Sequence, residues 1–162
     1  MKFKLVLFLA STLFLGGFMI YGGVMKFSRP IPTPTSQIEK YEEEGMDKAR
    51  TSSKLVISNY IFGLKQSGYF WQLLGFCELF FGLLIISQVF SFLGALMNVP
   101  ISLNIFLFNA ILKPDDLGDF VLTLGLFVAN LVILVYYYPK WKHLVKDSTL
   151  LKSYKTVFKK GT

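Results

Sequence analysis

The sequence predicts an all-α protein, a bundle of four transmembrane helices with both termini on the cytoplasmic side (N-in/C-in) and a long outer loop that carries short helices. Three observations predict it. Over 162 residues, 53% are hydrophobic and 17% aromatic, and the mean hydropathy is +0.52, which is too apolar for a water-soluble domain of this size. Four windows, about 5–25, 70–89, 93–112 and 120–138, each approach the roughly 20 apolar residues that cross a ~30 Å hydrocarbon core. The lysines are also unevenly placed. Lys2, Lys4, Lys140, Lys142, Lys146, Lys152, Lys155, Lys159 and Lys160 flank the first and last windows, with Asp147 the one acid among them. By the positive-inside rule both ends are cytoplasmic, which requires an even number of spans. The remaining loops carry eight bases against eight acids, so the net charge of +7 resides at the cytoplasmic ends. There it serves topology and attraction to anionic lipid rather than nucleic acid.

The first span begins after Lys2 and Lys4 like a secretory signal, but its apolar run to Met25 exceeds an h-region and lacks a small-x-small cleavage site, so a retained span is expected. Thr12, Gly16, Met19, Gly23 and Lys26 recur at helical spacing and share one face. Gly16 and Gly23 on that face admit close approach of another backbone. Pro30, Pro32 and Pro34 then forbid helix and favour an extended path. Ser36 is expected to cap a polar helix running to about Thr51, with acids in its first turns. From Ser53 a short amphipathic piece with Tyr60, Phe62 and Leu64, interrupted by Gly63 and Gly68, reads as an interfacial or partly re-entrant helix on the outer face, with a soluble helix as the alternative. Residues 26–68 thus form one outer, periplasmic loop, and its polar part from Ser28 to Lys54 is where a protein partner would bind.

The second span opens on Tyr69, Phe70 and Trp71, and the fourth closes on Tyr136, Tyr137, Tyr138 and Trp141, ring types enriched at headgroup level. A short uncharged link near Ser91 makes spans two and three a tight antiparallel hairpin. Pro100 is expected to bend span three and free a carbonyl. Residues 139–162 form a basic cytoplasmic tail, and His143 within it reads as a solvated residue.

Glu78 is the one acid inside an apolar run, where a carboxylate costs at least a few kcal/mol and normally faces protein or water. Gly75, Glu78 and Gly82, with Ile86 a turn further on, share a face, so Glu78 is presented to the bundle between two points of close backbone approach. It can act as a neutral hydrogen-bond donor to an asparagine or a carbonyl, or pair with Lys26. Direct pairing requires the helices to be offset, since Lys26 lies near the outer boundary and Glu78 about 10–14 Å deeper. Asn98, Ser102 and Asn109 share a face of span three, Asn104 lies on another, and span four offers Thr123 and Asn130 one heptad apart. Such side chains join helices by hydrogen bonds worth ~1 kcal/mol. The polar core to examine is therefore Glu78, Lys26, Asn104, Asn109 and Asn130, and the packing set is Gly16, Gly23, Gly75 and Gly82. Three readings of that core stay open: structural glue, a small-molecule, quinone or proton site, and partner docking.

Cys77 has no cysteine partner, so a disulfide within the chain is excluded and a packing role is expected. No metal site is expected: His143, the one histidine, lies outside the spans. Haem ligation inside the bundle lacks ligands, and no phosphate loop, Ser-His-Asp set or catalytic carboxylate pair is present.

Gly22-Gly23-Val24-Met25-Lys26-Phe27, Ser67-Gly68-Tyr69-Phe70-Trp71, the run Gly75 to Leu84, and Pro100 to Asn109 followed by Lys113-Pro114 together resemble the DoxX family of small four-helix membrane proteins. The resemblance spans most of the chain apart from residues 30–52 and the tail. It implies a multi-pass protein of a bacterial inner membrane. The family is named for a subunit associated with thiosulfate:quinone oxidoreductase, which makes quinone the candidate ligand and a membrane complex the candidate partner. By position Lys26 and Glu78 match recurrent basic and acidic residues of the family's first two spans, while Asn109 stands where several members carry histidine. The expected function is an accessory or structural subunit of a membrane complex. A quinone-linked oxidoreductase subunit and a small or proton-coupled transporter are the alternatives.

Overall fold

A computed structural model of the chain describes residues 2–29, 33, 35, 36, 39, 42, 43, 53–113 and 116–145, and the regular structure among them is entirely helical. The helices that position the site are α1 (Lys2–Ser28), α2 (Ser53–Gln66), α3 (Phe70–Ile86), α4 (Ser91–Leu112), α5 (Leu117–Tyr136) and α6 (Tyr138–Val145). Of these, α1, α4 and α5 are each long and apolar enough to cross a membrane. The 17 residues of α3 rise only about 26 Å, and α3 qualifies as a span only together with Asn59–Gln66, to which it is bent by 93°. Among the described residues three helices, or four if the bent pair is one span, can therefore cross a bilayer by length and composition.

Several boundaries differ from those read in the sequence. The second apolar window was expected to run to Val89, but α3 ends at Ile86. The Ser87 hydroxyl donates to the Leu84 carbonyl at 2.7 Å and accepts the Phe90 amide at 3.2 Å. Between them Gln88 turns the chain with φ 59°, so the short link to α4 is made by residues 87–90, a little earlier in the chain than hydropathy placed it. Gly63 does not interrupt α2, which runs through it to Gln66. A glycine costs a helix about 1 kcal/mol without ending it, and the break comes at Gly68, whose φ is +77°. The cap expected at Ser36 is supplied by Thr33, whose hydroxyl accepts the Ser36 amide at 3.3 Å. Most of the polar helix expected from there to Thr51 lies outside the described residues. The basic tail begins as α6, and from Lys146 onward it is likewise outside them.

Four helices close into a ring in which α1 packs on α3, α3 on α4, α4 on α5 and α5 back on α1. Phe8, Leu15, Met19, Ile85, Ala95, Leu126, Ala129 and Ile133 fill its centre. Phe14, Leu83, Leu107 and Val128 face outward, as expected where the surroundings are apolar. One end is marked by aromatic stacking. Phe8 lies 4.2 Å from Tyr136, Phe92 lies 6.3 Å from Trp141, and the Tyr137 hydroxyl donates to the Gln88 carbonyl at 3.2 Å. The start of α1, the α3–α4 link and the end of α5 therefore share one end of the ring.

The α1–α3 seam is built on glycine. A Cβ added at Gly16 would stand 3.0 Å from the Gly82 carbonyl oxygen, and one at Gly23 would stand 2.8 Å from that of Gly75. The pairs repeat every seven residues on both helices, which sets an antiparallel register at near backbone contact. On the opposite seam Asn130 reaches from α5 into the turn of α4 before Pro100. Its amide donates to the Ala95 carbonyl at 3.1 Å and accepts from the Val99 amide at 3.3 Å and the Ser102 hydroxyl at 3.0 Å.

Asn98 is fully buried, and neither polar atom of its amide has a hydrogen-bond partner among the described residues. An orphaned buried polar group costs about 1–3 kcal/mol, and leucine has nearly the same shape. Asn98→Leu is expected to stabilise the bundle by about 1 kcal/mol or more in reversible detergent unfolding. A loss of stability would show that the amide is bonded in the folded protein.

Candidate functional site

Lys26 and Glu78 meet inside the ring. The Lys26 ammonium donates to Glu78 Oε2 at 2.5 Å, and the two side chains are 15% and 3% exposed. The sequence placed these groups too far apart in depth to pair without an offset between the helices. The glycine register explains why they meet. It sets Ile20 level with Glu78, leaving Lys26 about six residues, or ~9 Å of rise, toward the C-terminal end of α1. Every side chain leans toward the N-terminus of its own helix. Because α1 and α3 run antiparallel, Lys26 leans down toward Glu78 and Glu78 leans up toward Lys26, and two long side chains close the gap.

Gly22 makes room for the pair. A Cβ there would lie 3.2 Å from Glu78 Oε2 and 4.0 Å from the Lys26 nitrogen. Gly75 does the same for the lysine stem, since its Cβ would fall 3.1 Å from that of Lys26. The Lys26 ammonium also sits 5.2 Å from the centre of the Trp71 ring, and that of Lys65 sits 4.9 Å from it. Such placements contribute about 0.5–2 kcal/mol each, depending on exposure. An isolated ammonium or carboxylate at this depth would be costly. The close pairing, the ring face and the cleared space make it tolerable.

The pair forms part of the wall of a cavity of about 250 Å³ that lies between α1, α2, α3 and α4, with Phe18, Tyr60, Trp71, Asn104 and Phe108 among its walls. A second space of about 260 Å³ shares Tyr60, Glu78 and Asn104 and extends past Pro100. Tyr60 reaches across from α2, its hydroxyl 3.5 Å from Asn104 Oδ1, a long and weak hydrogen bond. Among the described residues Glu78 bonds through Oε2 alone, and the Asn104 Nδ2 donates to none. A mostly apolar chamber with a few convergent polar groups is the usual form of a small-molecule site.

The five polar residues singled out in the sequence divide into two groups. Lys26, Glu78 and Asn104 come together at the chamber. Asn109 is buried elsewhere and donates to the Ile105 carbonyl of its own helix at 2.9 Å, and Asn130 joins α5 to α4. Gly22, Tyr60 and Trp71 line the chamber but were not among the predicted site residues. Gly22 precedes Lys26 by one turn on the same face, and that spacing was a readable signal. The role of Tyr60 depends on α2 folding back over α4, for which the sequence carries no signal. Among the described residues, no group of three or more His, Cys, Asp or Glu side chains could hold a metal ion. No family model, curated protein or solved structure matches the chain.

Proposed function

We propose that this chain is a multi-pass protein of a bacterial inner membrane, a DoxX-like accessory or structural subunit of a membrane complex, whose chamber at Lys26 and Glu78 holds a lipid-like molecule. In this reading α1, α3, α4 and α5 are the four spans, and α2, bent by 93° from α3, lies along the outer surface. The lysines at both chain ends and the aromatic cluster that joins the start of α1 to the end of α5 support cytoplasmic termini. The observation that carries the function is the chamber itself, an apolar space in which a closed ion pair, one amide and one phenol converge. A carboxylate already bonded to an ammonium is suited to holding two helices together and orienting a polar head. It is less suited to acting as a free acid or base.

A second reading, a quinone-linked oxidoreductase subunit, is favoured by the flat rings of Tyr60, Trp71 and Phe108 around the same space. The donors of Lys26 and Asn104 would serve ring carbonyls there. It predicts co-purification with a flavin, haem or iron–sulfur partner.

Native mass spectrometry after extraction in mild detergent, combined with an affinity pull-down, tests the proposal. The wild-type chain should carry a small-molecule adduct and a protein partner. Gly22→Leu, which fills the chamber, should lose the adduct, and Asn104→Leu should lower its occupancy about fivefold, the loss of one hydrogen bond. A chain recovered with neither adduct nor partner would overturn the proposal.

A further inference from the structure

Resting on the reading of this space as a ligand site, we infer that the chamber selects an uncharged amphiphile whose head both donates and accepts hydrogen bonds, as in a long-chain acylglycerol. The charges that line it are Lys26 from α1 and Glu78 from α3, and they cancel at 2.5 Å. The polar groups offered by the other two walls are neutral, Tyr60 from α2 and Asn104 from α4. Lys65 stacks on Trp71 but is not part of the wall. A carboxylate or phosphate head would bring a second negative charge beside Glu78 with no unpaired cation in the wall to meet it. An unpaired charge in such surroundings is strongly disfavoured.

The hydrogen-bonding groups narrow the head further. Glu78 Oε1 bonds to no described residue and can only accept, so it asks for a donor from the ligand. Asn104 Nδ2 and the remaining Lys26 hydrogens can only donate, so they ask for an acceptor. A hydroxyl beside an ester carbonyl answers both, whereas a head with acceptors alone leaves the carboxylate oxygen unmet. The tail has a route out. A third space of about 310 Å³ between α2 and α4 shares Tyr60, Asn104 and Phe108 and is bounded by Val56, Leu107 and Ile111, apolar residues on the outward side. A chain leaving this way enters the bilayer laterally without passing the ion pair.

Trp71 lines the chamber and Trp141, the other tryptophan of the chain, lies at the opposite end against Phe92, so Trp141→Phe makes fluorescence a reporter of the chamber. The probes are dibromostearoyl glycerol and dibromostearate, added to the detergent-solubilised protein at a pH where the acid is ionised. Bromine quenches tryptophan on contact, and a Trp71→Phe protein that retains Trp141 measures unsaturable background. The ester should quench saturably at a mole fraction about tenfold below that needed for the acid, and Glu78→Gln, which leaves Lys26 unpaired, should shrink or reverse that preference. The wild-type comparison decides without the variant. Equal or tighter binding of the acid overturns the head-group inference while leaving the chamber as a ligand site. Absence of saturable quenching by either probe overturns both.

Discussion

Lys26→Met is expected to destabilise the bundle by about 3–5 kcal/mol, the cost of breaking a buried ion pair from one side. Glu78 is the side chain left behind, 3% exposed, on a short stem in the middle of α3, where it cannot reach bulk water as a long lysine stem can. Glu78→Gln should cost visibly less, because the lysine it leaves is 15% exposed near the C-terminal end of α1. Lys26 can lift its ammonium past Trp71 toward the headgroups. Replacing both, Lys26→Met with Glu78→Leu, should recover most of the loss, since an apolar pair of similar volume is often as stable as the buried ion pair. Reversible unfolding in mixed detergent micelles, followed by circular dichroism, measures all three. Equal losses for the two single variants, or a double variant no better than Lys26→Met, would show that the pair is not closed in the folded protein.

Gly23→Ala should have the next largest effect, about 3 kcal/mol, the upper part of the range for overpacking. The added carbon would meet Leu79 Cγ at 2.6 Å, the Gly75 carbonyl oxygen at 2.8 Å and the Leu79 amide nitrogen at 3.0 Å. Two of those are backbone atoms, so relief requires α1 and α3 to part. That movement would also open the Lys26–Glu78 contact, and the variant should lose any chamber ligand along with stability. Gly17→Ala on the same helix is the control. Nothing lies within 4 Å of the added carbon, and alanine favours helix over glycine by up to about 1 kcal/mol, so no loss is expected. The same detergent unfolding measures both, and a similar loss at the two positions would mean that the seam is not where α1 and α3 touch.

Much of this seam could be read before any coordinates. Gly16 and Gly23 are seven apart, as are Gly75 and Gly82, and equal steps on two helices invite an antiparallel pairing. Helical spacing gives each glycine face but not which glycines oppose one another, and without that match Lys26 and Glu78 stand at different depths. The N-terminal lean of helical side chains, applied to an antiparallel pair, brings the two groups together. Asn104, Asn109 and Asn130 show the opposite limit. Their angular positions on the helices follow from spacing, but spacing does not tell which of them faces an open chamber, which bonds within its own helix and which ties α5 to α4. Gly94 sits alone in α4 with no glycine spacing to mark it, yet a Cβ there would come within 2.8 Å of Leu84 Cβ, and it governs how closely α4 approaches α3.

By itself the sequence determined the all-helical class, the apolar segments and the faces that carry glycine and polar residues. Those are local consequences of hydropathy and the helical repeat, and in lipid an isolated segment must satisfy its own backbone. The tertiary structure alone decided that α2 folds back across α4, that Lys26 reaches Glu78 beneath Trp71, and that Asn98 is buried without a partner. These depend on distances between groups far apart in the chain, and such distances are set by how closely whole helices pack, which no single segment encodes.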